Sequence, residues 1–250
     1  AAQWTGAMRG PAFFAYADNY LIDVKCGIIM DVEASRAVRQ AEVGAAKTMI
    51  DRTADRFGLR PERLAGDTAY GSAEMLNWLV EERQIAPHIP VIDKSARRDG
   101  TFAREDFRYN HDSDTYTCPA GKTLVTSGTL VNDGTTLLYR GSTMDCGTCR
   151  FKGQCCPNTP ARKIPRSLHE GARDLARSLA GTPAFEQSRR ERKRVEMLFA
   201  HLKRILKMGR LRLRGPRGAQ DEFTLAAIAQ NLRRLAKLIA QPPPAAACVA

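Results

Sequence analysis

The sequence lacks the long apolar runs of a membrane-spanning protein, and we expect no secretory leader. No run approaches the ~20 apolar residues of a membrane-spanning helix, so a spanning protein is excluded. The first residues show no basic segment followed by an apolar one, so we expect no secretory signal. An internal repeat and an initiator Met are also lacking, and we expect the chain to be a fragment.

The positive charge is concentrated in one quarter of the chain. The 250 residues carry a formal net charge of +12. Residues 161–220 contain 17 Lys and Arg against 5 Asp and Glu, which accounts for the whole excess. Because Lys and Arg that neutralise phosphates release counterions, this density favours a nucleic-acid partner. A solvated basic surface or a contact with anionic lipid is the alternative.

The N-terminal part alternates strand and helix patterns. β-branched and aromatic residues predict strands over 13–24 and 27–36, joined as an antiparallel hairpin. A helix is predicted over 40–58, followed by a short strand that ends just before Asp67. Ser72 is expected to cap a helix over 73–83, and a strand is predicted over 85–92.

The composition then becomes polar and rich in Gly and Thr. We expect an inserted β-rich subdomain that contains the clustered cysteines. Helices are predicted over 167–180 and 184–208, then a basic loop over 209–220, and last a helix over 222–240 that Asp221 caps. The predicted fold class is α/β, a mixed sheet flanked by helices.

One charged group on the 184–208 helix has a spacing that suggests chemistry. Arg192, Glu196 and Lys203 are four and seven residues apart, so they lie close together at the edge of the apolar stripe. The plain alternative is an Arg192–Glu196 salt bridge between neighbouring turns, worth a few tenths of a kcal/mol.

Together with the segment Gly-Asp-Thr-Ala-Tyr-Gly-Ser around Asp67, this pattern resembles the DDE transposases of bacterial insertion sequences. The best match is the branch whose third motif is Tyr, two residues, Arg, three residues, Glu, six residues, Lys. Arg192, Glu196 and Lys203 match it, whereas Arg189 stands at the Tyr position. The segments from Cys156 to Pro165 and from Val195 to Lys203 strengthen the resemblance.

The resemblance implies an RNase H-like core and a catalytic site in which Asp67 and Glu196 hold Mg²⁺ or Mn²⁺. It implies strand cleavage and transfer on DNA, with the terminal inverted repeats and the target as partners, and a homo-oligomer that bridges two ends. A bacterial cytoplasmic, nucleoid-associated location and the absence of a membrane partner follow. The residues expected to contact DNA are Arg189, Arg192, Lys203, Arg212, Arg214 and Arg217.

The resemblance also implies a domain division. The core is expected over 12–93 and 166–240, the insertion over 94–165, and a disordered tail over 241–250. The family's first catalytic Asp lies on the first core strand, upstream of the hairpin. We expect this chain to begin after that strand and therefore to be inactive alone. The alternative functions are a non-catalytic, zinc-stabilised nucleic-acid-binding module and an RNase H-like nuclease.

Seven cysteines are present, four of them within residues 146–156. An odd number without a leader indicates a reducing compartment rather than a disulfide framework. The Cys146–Cys149 pair resembles a zinc-ribbon-like arrangement that Cys118 and either Cys155 or Cys156 could complete. A group of partly buried free thiols is the alternative.

Overall fold

The computed structural model describes residues 2–7, 10–93, 97 and 99–239. The chain divides into two compact units, which we call unit 1 (1–70, 84–89 and 179–250) and unit 2 (71–83 and 90–178). Strands and helices are both present in quantity, which confirms the α/β class. The expected disordered tail, 241–250, lies outside the described residues. The domain boundaries expected from the sequence stay predictions.

Unit 1 begins with an antiparallel sheet of three strands, β1 (Gln3–Ala7), β2 (Gly10–Asp23) and β3 (Ile28–Arg36). β2 and β3 form the predicted hairpin, and Gly27 permits its turn with φ of 70°. Helix α1 (Arg39–Phe57) follows and ends at Gly58 in the left-handed conformation, as predicted. It packs against β3 and buries Met49 and Ile50.

Two short strands, β4 (Arg63–Ala65) and β5 (Ala86–His88), form a separate parallel pair. β5 is shorter than the strand predicted over 85–92, because Pro87 and Pro90 lack the N–H that a longer ladder needs. Among the described residues, the strands of unit 1 therefore form two sheets rather than the single mixed sheet expected. The RNase H-like topology stays a prediction.

Two long helices complete unit 1, α6 (Pro183–Arg204) and α7 (Gly215–Ile239). The prediction for α7 was wrong at its start, because the helix begins at Gly215 and Asp221 lies inside it rather than capping it. Pro216 suits a first helical position, since its missing N–H needs no partner there. Gly218 lets the helix start tightly, because a Cβ at this position would lie 2.6 Å from the Cβ of Leu213.

α7 covers the outer edge of β3. Phe223 and Ala227 are buried in a core cluster with Ile29. The amide of Asn231 replaces a neighbouring strand, accepting from Ile29 N and donating to Ile29 O, both at 2.8 Å. Gln220 pairs in the same way with β3, accepting from Ala34 N at 2.7 Å. These side chains satisfy backbone groups that an open strand edge would leave exposed.

Unit 2 starts with α2 (Ala73–Asn77), which continues as a π-helical segment, Trp78–Glu82. The Ser72 side chain accepts from Met75 N at 3.2 Å and caps α2 as predicted. A five-stranded antiparallel sheet follows in the order β10-β9-β8-β7-β6. Its strands are β6 (Arg108–Asn110), β7 (Thr115–Thr117), β8 (Thr123–Val131), β9 (Thr136–Arg140) and β10 (Lys163–Ser167).

Three helices accompany this sheet, α3 (Thr143–Gly147), α4 (Lys152–Cys155) and α5 (Glu170–Leu179). The core of the sheet consists of large buried side chains: Phe107, Tyr116, Leu124, Tyr139 and Ile164. Unit 2 thus has an apolar centre of its own.

Candidate functional site

Asp67 lies two residues beyond the end of β4, at the position the sequence predicts. One carboxylate oxygen accepts from Ala69 N at 2.7 Å, which tightens the turn. Arg39 of α1 holds the same turn from outside, donating to Ala69 O at 3.0 Å and to Thr68 O at 3.1 Å. The turn is fixed while the Asp67 side chain remains exposed.

The glycines of this motif have steric reasons. A Cβ at Gly66 would lie 3.3 Å from Ile89 and from the ring of Tyr70. At Gly71 it would lie 2.0 Å from the carbonyl oxygen of Pro90, closer than any real contact. Burial raises the pKa of Tyr70 to about 12, with the carboxylates of Glu42 and Asp67 adding to the effect. The motif is therefore built for close packing around one exposed acid.

Glu196 lies on α6 and is exposed. Within the described residues it forms no ion pair with Arg192, so the plain alternative from the sequence is not what the structure shows. Arg192 itself is half-buried and Lys203 is exposed. In the part of the chain that the structure describes, Glu196, like Asp67, is an acid without a fixed cationic partner.

The N-terminal half of α6 is fixed to the β4–β5 pair. His88 Nδ1 lies 2.7 Å from Ser188 Oγ, and both residues are buried. Arg63 donates to Glu191 at 3.1 Å. The ring of Phe185 lies 5.6 Å from that of His88. His88 therefore has a positioning role in the structure.

These contacts also give the direction of α6. Ser188 meets the end of β5, whereas Glu191, further along the helix, reaches back to Arg63 at the start of β4. α6 therefore runs antiparallel to the two strands at this contact. Glu196 is further along α6, beyond the start of β4, whereas Asp67 follows the end of β4. This contact therefore does not bring the two carboxylates together, and their meeting stays a prediction.

The second half of α6 contacts β2 and α7. The ring of Phe199 stacks on that of Tyr20 at 5.4 Å, with an interplanar angle of 16°. Gln230 of α7 donates to Leu198 O at 3.3 Å. His201 contacts Arg233 of α7. Glu196 is one turn before Phe199, so these contacts support the segment of α6 that carries it.

The predicted DNA-contacting side chains are largely exposed. Those of Arg189, Lys203, Arg212, Arg214 and Arg217 are open to solvent. The sequence did not predict how the loop with Arg212 and Arg214 is held. Glu222 of α7 accepts from the backbone N–H groups of Arg212 and Leu213 at 2.6 and 2.5 Å. Nothing in the sequence indicated that Glu222, ten residues after Arg212, would bind the backbone of this loop.

No ready-made metal centre is present in the described part of the chain: no three His, Cys, Asp or Glu side chains are arranged to hold an ion. Asp67 and Glu196 supply the oxygen ligands that hard cations such as Mg²⁺ prefer, so the donor chemistry fits.

Sequence reasoning gave no role to Asp18 of β2. Burial raises its pKa to about 7 against a hydrogen bond from Tyr20, and Oδ1 has no partner among the described residues.

The family model described as transposase DDE domain matches residues 117–236. The match covers 120 of the 250 residues and supports a DDE transposase. The matched range contains Glu196 and all six predicted DNA-contacting residues, whereas Asp67 precedes it. A transposase domain implies DNA as the partner and a family of nucleases and transferases.

No curated protein and no solved structure matches the chain significantly. No helix in the described ranges combines the length and the apolar character needed to cross a bilayer.

Proposed function

We propose that this chain is part of a transposase of a bacterial insertion sequence, with Asp67 and Glu196 as two of its metal-binding carboxylates. The supporting observation is that both acids of the matching motifs are exposed and, among the described residues, without a fixed cationic partner. Divalent ions at such a site align the nucleophile with the leaving oxygen of a phosphodiester and stabilise the developing charge. The proposal includes a cytoplasmic, nucleoid-associated location and the terminal inverted repeats and the target as the DNA partners.

The motif resemblance assigns only two of the three carboxylates of a DDE site, Asp67 and Glu196. We therefore propose that this polypeptide binds DNA and a divalent ion without cleaving DNA. Mg²⁺-dependent cleavage of a transposon-end duplex by the purified chain would contradict this part of the proposal.

Metal binding is the most direct test. Titration of the chain with Mn²⁺, followed by electron paramagnetic resonance, is expected to show weakening of at least tenfold in Asp67→Asn and in Glu196→Gln. Asp55→Asn removes an exposed acid of α1 and is the matched control, with unchanged binding. Wild-type affinity in both site variants would overturn the assignment.

The basic residues next to α7 carry the proposed DNA contact. Removing a cation that neutralises one phosphate reduces the slope of log affinity against log salt by about 0.9. Replacing Arg212, Arg214 and Arg217 by Ala is expected to weaken binding to any duplex and to lower this slope. Arg60→Ala, an exposed cation outside the basic region, is the control. An unchanged slope in the triple variant would exclude this segment, the loop before α7 and the first turn of α7, from phosphate binding.

A row of exposed apolar side chains on α7 supports a homo-oligomer. The row consists of Leu225, Ile228, Leu232, Leu235 and Ile239, which are 48–74% exposed. Their spacing alternates between three and four residues, and they lie opposite the buried face of the helix. Neutral residues flank the row: Thr224, Ala229, Asn231, Ala236 and Leu238. Two copies could pair without repulsion at this seam.

The area agrees with pairing of two copies. At about 100 Å² for each side chain, two copies would bury about 1,000 Å², the lower bound of a biological interface. Light scattering after size exclusion is expected to show a dimer that Leu232→Lys converts to a monomer. Leu175→Lys, at an exposed leucine of α5, is the control. A wild-type chain that remains monomeric at high concentration would exclude the pairing of two copies through α7.

A further inference from the structure

Five cysteines of unit 2 line one small cavity. They are Cys118, Cys146, Cys149, Cys155 and Cys156, all as free thiols. The cavity volume is about 30 Å³, comparable with the share of one water molecule in the liquid. The fold thus gathers, around a space for one small occupant, thiols that the chain separates by up to 38 positions.

Three cations line the same cavity: Arg162, Lys152 and Lys122. Arg162 is only 7% exposed and donates to the carbonyl oxygens of Cys155 and Phe102, both at 2.9 Å. Its Nε is buried and has no hydrogen-bond partner among the described residues. Lys152 donates to Thr159 O at 2.5 Å and lies 3.6 Å from Cys156 Sγ.

The nearby acid does not neutralise Arg162 or Lys152. Asp145, which also lines the cavity, pairs with Lys122 at 3.3 Å. In the described part of the chain, Arg162 and Lys152 form no salt bridge. Because a buried charge without a counter-charge is costly, the buried Arg162 favours negative charge in the cavity that its carbonyl and neutral thiol partners do not supply.

We propose that this cavity binds one Zn²⁺ through the thiolates of Cys118, Cys146, Cys149 and Cys155. Four thiolates around Zn²⁺ leave two net negative charges, which Arg162 and Lys152 neutralise. Four protein ligands close the coordination shell, so the ion is structural. The site is independent of the carboxylates proposed for catalysis.

Local geometry supports two of the ligand positions. Lys122 N donates to Cys118 Sγ at 3.3 Å across a turn in which Gly121 has φ of 76°. Such a donor stabilises a thiolate. Cys118 and Cys155 both pack against the apolar core of the five-stranded sheet, whereas the Cys156 thiol lies beside the Lys152 ammonium. We take Cys155 as the fourth ligand because it shares with Cys118 the contact with the core of the sheet.

As the thiols stand, no three in the described ranges are arranged to hold an ion. The proposal therefore requires their side chains to turn towards the cavity centre when Zn²⁺ enters and their protons leave. Binding should thus tighten unit 2 and protect the thiols together, rather than fill a preformed cage.

Metal content and thiol reactivity test the site without any activity assay. The chain purified under reducing conditions is expected to contain one zinc per molecule by mass spectrometry of the metal. Co²⁺ in its place should give a thiolate-to-metal absorption band. Replacing any one of the four ligands by Ser should reduce zinc affinity at least tenfold, whereas Cys26→Ser and Cys156→Ser should retain zinc.

The charge argument has its own variants. Lys152→Gln is expected to weaken zinc binding about tenfold, and Lys152→Arg to restore it. Circular dichroism of each variant separates loss of metal from loss of fold. A folded wild type without zinc, with thiols equally reactive with and without added Zn²⁺, would overturn the proposal. So would a disulfide among the four ligands or full zinc retention in Cys146→Ser.

Discussion

Glu170 of unit 2 and the two motif acids of unit 1 have opposite surroundings. In unit 2, Glu170 is 1% exposed and lies among three arginines, Arg104 at 2.6 Å and Arg173 and Arg177 at 2.9 Å. In unit 1, Asp67 and Glu196 are exposed and have no fixed cation among the residues that the structure describes. A buried carboxylate must be neutralised by its surroundings, whereas one that binds a metal ion or faces phosphate must be left available. This contrast separates an acid that holds the fold from acids that are candidates for chemistry.

The largest effect is expected from Glu170→Gln. It leaves three partly buried arginines without their shared carboxylate, and breaking such a group costs about 3–5 kcal/mol. Denaturant unfolding measures the loss of stability. Glu105→Gln, an exposed neighbour of Arg104, is the control and should change little. A destabilisation by Glu170→Gln of less than about 1 kcal/mol, the size of an exposed ion pair, would remove the contrast between the units.

Acid should weaken the same group. Burial alone would raise the pKa of Glu170, but Arg104, Arg173 and Arg177 outweigh it and lower the pKa. A depressed carboxyl pKa stabilises the fold above the unfolded value near 4.3. That stability is lost as the pH falls from there through the folded pKa. Glu170→Gln should flatten this part of the profile of stability against pH.

Gly71→Ala is expected to destabilise unit 2 next most strongly. The added Cβ would lie 2.0 Å from Pro90 O, so the backbone must shift. Overpacking of this kind costs about 1–3 kcal/mol or more. Gly153→Ala, where a Cβ meets nothing within 4 Å, is the matched control and should be neutral or mildly stabilising. Equal thermal midpoints for the two variants would contradict the steric interpretation of the motif.

Ser188→Ala tests how α6 is fixed to the strand pair. The change leaves the buried His88 Nδ1 without its partner at 2.7 Å, at a cost of about 1–3 kcal/mol. Burial, then the nearby Arg63, lowers the pKa of His88. Its stabilising contribution is therefore present above the unfolded pKa near 6.5 and is lost as the pH falls below it. A Ser188→Ala protein as stable as Ser188→Thr would argue against this contact.

The smallest effect on stability is expected at the candidate site itself. Asp67→Asn and Glu196→Gln remove exposed charges for which the described residues supply no fixed cation, so each should change stability by less than about 0.5 kcal/mol. The metal titration then shows whether the effect is confined to binding. A destabilisation like that of Glu170→Gln would mean that these acids hold the fold instead.

Much of the local architecture could be predicted from the sequence. The β2–β3 hairpin, α1 with its Gly58 end, the Ser72 cap and the place of Asp67 after β4 follow from residues adjacent in the chain. The start of α7 could not be predicted in this way. It depends on Gly218 fitting against Leu213. It also depends on Asn231 and Gln220 binding an edge strand that is about 190 residues away in the chain. The roles of Glu170 and Glu222 were missed for the same reason.

By itself, the sequence determined which chemistry the chain can carry: a concentrated positive charge, two motif acids and a group of cysteines, all set by residue type and short spacing. Only the tertiary structure decided which acids are neutralised, that five thiols share one cavity with Arg162, and that one face of α7 is left apolar and exposed. Burial and the meeting of distant side chains are properties of packing. Local patterns of sequence do not encode them.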